Sequence, residues 1–111
     1  MSDILSTIYA AKAAHFAREE LREPYEEIVG RALASVAGRR PFTSALCAAS
    51  GGAIVGEIKR ASPSAGLIAR NFDPAAIARI YDGAGVDAIS VLTEADHFLG
   101  ELAYLNVVRA S

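Results

Sequence analysis

The feature that most constrains this sequence is a strand, a helix and a second strand in direct succession. Ala53-Ile-Val-Gly-Glu-Ile-Lys59 and Asp87-Ala-Ile-Ser-Val-Leu-Thr93 have apolar centres of strand length. Between them Asp73-Pro74 reads as a helix entry, with Asp as N-cap and Pro at the first position. Ile77, Ile80, Tyr81 and Ala84 form the expected buried stripe of that helix, and Gly83-Ala-Gly85 ends it. This order predicts a βαβ unit, with parallel strands and a right-handed crossover. Parallel strands need neighbours on both sides and cover on both faces. Only two are present, so the sequence reads as the truncated opening of a larger α/β barrel or sheet. A further helix is expected from near Glu101, with Leu102, Leu105 and Val107 or Val108 facing inward.

Residues 1–50 have a different character and predict a helical extension ahead of residues 51–111. Ser2 or Asp3 caps a first helix whose stripe is Ile4, Leu5, Ile8, Ala11 and Phe16. Pro24 breaks it and suits the first turn of a second helix, from Tyr25 to about Ala34. Gly38-Arg-Arg-Pro41 is a linker, and Phe42–Ala49 is a short helical piece. Cys47 within that piece reads as a small buried hydrophobe.

Composition excludes several classes. With 11 Lys plus Arg against 13 Asp plus Glu, no basic excess marks a nucleic-acid binder or an anionic membrane surface. No apolar run reaches the ~18 residues of a membrane span, and Met1-Ser-Asp-Ile-Leu5 is no signal peptide. The single cysteine fits a cytoplasmic protein. His15, Cys47 and His97 have no metal-ligand spacing, so no metal site is expected.

Loop lengths point to a ligand face. Arg60–Phe72 is longer than the roughly 2–6 residues usual after a strand. Glu94–Gly100 is also long, and both segments follow the C-terminal ends of strands, where α/β proteins place their ligands. Glu57 and Lys59 are two apart in the first strand and share a face, opposite Ile58. Charges on a covered face are costly unless paired or ligand-bound, so the pair suggests a polar pocket. A structural ion pair at a strand end already in water is the plainer alternative. Lys12 and Lys59 are the only lysines among 11 basic residues, which suits a special ammonium at position 59. Ser62-Pro-Ser-Ala-Gly66 combines a fixed turn, a glycine and two hydroxyls able to meet an anion, though a plain Ser-Pro turn has the same composition. Arg60 and Arg70 read as solvated. Phe98 is an aromatic in the second long loop, either facing a ligand or plugging the loop, and His97 reads as a solvated loop histidine. Gly83-Ala-Gly-Val-Asp-Ala88 matches a dinucleotide pattern only formally, since it follows a helix rather than a strand.

Together Glu57-Ile-Lys-Arg-Ala-Ser-Pro-Ser-Ala-Gly-Leu-Ile68, Phe72-Asp-Pro74, Ala88-Ile-Ser-Val-Leu-Thr-Glu94 and Phe98-Leu-Gly100 resemble indole-3-glycerol phosphate synthase of tryptophan biosynthesis. The resemblance implies the first two βα units of a (β/α)8 TIM barrel behind a helical extension. It implies a carboxy-lyase that closes the pyrrole ring of 1-(2-carboxyphenylamino)-1-deoxyribulose 5-phosphate, releasing carbon dioxide and water without cofactor or metal. Lys59 becomes the active-site lysine of the first strand and Glu57 its orienting carboxylate. Ser62 and Pro63 line the substrate site, and Phe98 packs on the aromatic ring. Ala65 and Glu101 stand where the family often has Lys and Ser. The family's principal general-acid lysine, a further glutamate and the phosphate site come from later strands, so these residues alone are expected to be inactive. Self-association or complementation by the missing barrel segment is a further expectation. The rivals are another phosphate-binding barrel, such as phosphoribosylanthranilate isomerase, and a non-enzymatic α/β interaction module using its open sheet edges.

Overall fold

A computed structural model describes residues 3–111, so Ser2 as a cap lies outside the described residues. The chain divides into two compact units, one running to Arg40 and one spanning Pro41–Ser111.

The first unit is helical. Helix α1 (Ile4–Arg22) starts where the Asp3 carboxylate accepts the Leu5 amide at 3.2 Å. It ends ahead of Pro24, which has no amide hydrogen to continue the ladder. Pro24 stands just before α2 (Tyr25–Ala34) as its N-cap rather than inside its first turn. Its carbonyl accepts the amides of Glu27 and Ile28. A 3₁₀ turn, Val36–Gly38, follows. Arg31 pairs with Glu23, and Arg22 pairs with Glu19 at 3.3 Å. The α1 stripe is a correction. Ile8 and Ala11 are half-buried together with Lys12, while Ile4, Leu5 and Phe16 are exposed. A unit of two helices buries too little apolar area to cover both of their stripes.

The second unit is α/β. Helix α3 (Phe42–Ala48) contacts strand β4 (Ala88–Val91). Ala45, Leu46 and Ala49 form its half-buried side, and Cys47 is exposed. The buried reading of Cys47 is therefore corrected: at 100° per residue, position 47 falls opposite the other three. Strand β1 (Val55–Ile58) pairs in parallel with β4, Val55 beside Ala88 and Glu57 beside Ser90. Asp87 fixes the start of this pairing. Its carboxylate accepts the Ile54 amide at 2.8 Å, and its own amide donates to the Ile54 carbonyl at 2.9 Å. The segment after β1 is not a plain loop. It folds into an antiparallel hairpin, β2 (Ala61–Ser62) with β3 (Gly66–Leu67).

Helix α4 (Pro74–Gly83) begins as the sequence predicts, with the Asp73 carboxylate accepting the amides of Ala75 and Ala76 at 3.0 and 3.1 Å. Its packed side is Pro74, Ile77, Ala78 and Tyr81, and it contacts β1. Ile80 and Ala84 are exposed, which corrects the expected stripe. Small Ala78 takes the central place and lets the helix axis approach the strand. Ile80 then lies about 100° away from the packed side. Two helices complete the unit, α5 (Ala95–Phe98) and α6 (Ala103–Ala110). Helix α6 contacts α4 through its Tyr104–Val108 side, and the Tyr104 ring lies 5.3 Å from the Phe72 ring. Leu102, Leu105 and Val107 are exposed, so the inward stripe expected for this helix is also corrected. The buried hydrophobic residues are Ile58 of β1, Ala61 of β2 and Ala78 of α4.

Candidate functional site

Alternation along β1 sorts its side chains. Gly56 and Ile58 are buried, whereas Val55 and Glu57 are exposed. The buried face is the one toward α4, because a Cβ built on Gly56 meets the Tyr81 ring at 2.6 Å. Glycine in a strand interior often marks such a close approach. Here it lets the Tyr81 ring lie on the β1 backbone while the Tyr81 hydroxyl donates to the Glu57 carbonyl at 3.0 Å. Glu57 therefore projects away from the helix, on the open face it shares with Ser90 of β4. Lys59, one residue past β1, donates from Nζ to Glu57 Oε1. Its side chain is 31% exposed against 47% for Glu57. The expected pair is thus formed, off the helical layer and partly shielded from bulk water.

The hairpin after β1 carries the next two candidates. Ser62 is half-buried. Its hydroxyl accepts the Ala65 amide at 3.2 Å and lies 3.4 Å from the Ser64 hydroxyl. Pro63 occupies the exposed tip. Gly66 has φ 65°, the left-handed conformation that lets the turn close without strain. The Arg60 carbonyl accepts the amides of Ile68 and Ala69 at the hairpin base. The Arg60 side chain is not solvated as expected. It is half-buried, and its Nε is buried without a hydrogen-bond partner. Arg70 is exposed, in line with its solvated reading.

The segment after β4 holds the residue that sequence reasoning missed. Glu94 caps α5, accepting the amides of Asp96, His97 and Phe98 at 3.2, 2.7 and 3.1 Å. The His97 Nδ1 lies 3.4 Å from the same carboxylate. Burial alone raises the Glu94 carboxyl. The amides of His97 and Phe98, the His97 ring and the Asp96 amide outweigh it and hold the group at about 2. His97 is half-buried here rather than solvated, because the helical turn returns its ring to the cap. Phe98 is half-buried on α5 rather than exposed in a loop. Leu99 then adopts φ 53°, and the Gly100 amide donates to the Glu94 carbonyl at 2.7 Å. A Cβ on Gly100 collides with the Leu92 carbonyl. An acidic residue closing an apolar strand, with a glycine six residues later, is the signal that foreshadows this closed turn.

Helix α5 contacts β2, so the segments following the two parallel strands pack on each other. This places Phe98 on an element beside the one carrying Ser62. Glu57 and Lys59 lie at the end of the strand that leads into β2. Among the described residues, no three His, Cys, Asp or Glu side chains converge to hold a metal ion. Among the described residues, no helix is long and apolar enough to cross a membrane.

A family profile described as Indole-3-glycerol phosphate synthase matches residues 5–111. The chain belongs to this family. An indole-3-glycerol phosphate synthase of Desulfotalea psychrophila (strain LSv54 / DSM 12343) is 46% identical over 112 aligned residues, covering 98% of this chain and 42% of that protein. Another, from Roseiflexus castenholzii (strain DSM 13941 / HLO8), is 40% identical over 110 residues, covering 99% of this chain and 40% of that protein. The chain thus spans about two-fifths of the length of these relatives. An α/β unit with a parallel two-stranded sheet is compatible with part of an indole-3-glycerol phosphate synthase barrel. The match also sets aside the phosphoribosylanthranilate isomerase alternative.

Proposed function

We propose that this chain supplies the first two βα units of an indole-3-glycerol phosphate synthase barrel and the opening part of its catalytic centre. The substrate is 1-(2-carboxyphenylamino)-1-deoxyribulose 5-phosphate, and the reaction closes its pyrrole ring with loss of carbon dioxide and water. The observation that carries the reading is the Lys59–Glu57 pair, on the face of β1 away from α4 and at the strand's C-terminal end. In a closed barrel that face looks into the interior, and that end carries the active site.

Ring closure builds negative charge on the oxygen of the carbonyl under attack. The Lys59 ammonium meets that charge and donates a proton, or holds the substrate carboxylate before it leaves. Glu57 orients the ammonium and assists the proton transfer. Ser62 and Pro63 form the rim on the first-loop side, and Phe98 forms an aromatic wall for the anthranilate ring. No cofactor or metal enters this scheme. The reading carries a cytoplasmic location with it. The family's principal general-acid lysine and the phosphate site belong to the part of the barrel this chain does not span.

The test is a chimera joining residues 1–111 to the part of the Desulfotalea psychrophila relative that this chain does not span. The chimera is expected to form indole-3-glycerol phosphate. Lys59→Met lowers its kcat by about 100-fold or more, the scale of a lost proton donor. The 111-residue chain alone gives no turnover. A Lys59→Met chimera retaining native kcat overturns the assignment.

A further inference from the structure

Four residues are too few for a helix to persist on its own, since nucleation costs more than one turn returns. Helix α5 nevertheless forms, and one side chain accounts for it. The Glu94 carboxylate is 13% exposed and accepts from all three backbone amides of Asp96, His97 and Phe98. The turn is closed behind it by Leu99 in the left-handed region and by the Gly100 amide on the Glu94 carbonyl. Gly100 has no room for a side chain beside Leu92. The helix so fixed ends in Phe98 and packs on β2.

We propose that Glu94 is a positioning residue for substrate binding. Its carboxylate fixes α5 through three backbone amides, and α5, packed on β2 of the hairpin that carries Ser62 and Pro63, in turn sets the position of Phe98. This rests on the functional reading above and deepens it. Glu94 does not touch substrate. It sets where the aromatic wall stands, so its loss weakens ground-state binding of the anthranilate ring while leaving the Lys59 chemistry in place.

Two measurements test this. In the chimera, Glu94→Ala is expected to raise KM about tenfold with kcat within threefold, the pattern of lost uniform binding. Phe98→Ala raises KM to a similar extent. The double variant is no worse than Phe98→Ala alone, because both act through one ring. In the 111-residue chain, Glu94→Ala speeds hydrogen exchange at the amides of 96–98 by about tenfold, while the β1 and β4 amides keep their rates. Effects on KM that multiply, a Glu94→Ala defect confined to kcat, or unchanged exchange at 96–98 each overturn the proposal. They leave the Lys59 assignment standing, since that assignment is decided by Lys59→Met. An unchanged KM in Phe98→Ala overturns both this inference and the aromatic wall.

Discussion

The two junctions that follow the parallel strands use carboxylates in opposite ways. After β1, Glu57 is nearly half exposed and pairs with the Lys59 ammonium. After β4, Glu94 is mostly buried and held by three backbone amides and an imidazole. The difference teaches what each group is free to do. A carboxylate engaged by its own backbone is committed to holding a turn. A carboxylate facing one lysine on an open strand face can reorganise with a substrate. One junction suits chemistry and the other sets geometry, and α5 of the second packs on β2 of the first.

The contrast breaks most easily at the first junction. Glu57→Gln in the chimera keeps the side chain's shape and removes its charge. The expected result is a loss of about tenfold to 100-fold in kcat, measured by product formation, with little change in stability. An equal loss of stability and activity instead makes the pair structural. At the second junction the effect falls on stability. Gly100→Ala forces a Cβ against the Leu92 carbonyl and is expected to cost about 2 kcal/mol or more in urea unfolding.

Gly56→Ala probes what lies beneath the first junction. The added methyl meets the Tyr81 ring, so a cost of about 1–3 kcal/mol is expected, with Tyr81→Ala in the same chain relieving part of it. Proton titration probes the second junction at the smallest scale. The Glu94 carboxyl lies at about 2 in the folded chain, below its ordinary 4.5. Its stabilisation is therefore complete above pH 4.5 and is lost as pH falls through about 2. The amide shifts of Asp96, His97 and Phe98 should titrate with that low midpoint. A midpoint near 4.5 contradicts the closed cap.

Much of the second unit was legible in the sequence because its signals are local. Asp73-Pro74 capped α4 as expected, and the two apolar runs paired in parallel. Spacing alone put Glu57 and Lys59 on one face, where they meet. The failures share a cause. Ile80, Ala84, Leu102 and Leu105 were assigned inward from periodicity, but periodicity does not say which of two apolar edges a neighbour covers. Small Ala78 settled the matter for α4 by allowing the closest approach to the sheet. The turn at Ser62–Gly66 is legible in its composition, but the strand pairing around it and the helical form of α5 depend on side-chain-to-backbone bonds made by Ser62 and Glu94 rather than on propensity.

The central claim is that Lys59 stands in a substrate cavity, and residues 1–111 contain an internal control in Lys12, the only other lysine. Reductive methylation of the chimera, followed residue by residue with and without bound indole-3-glycerol phosphate, compares the two directly. Ligand is expected to slow methylation of Lys59 strongly and to leave Lys12 unchanged. Equal rates at Lys59 with and without ligand would contradict it.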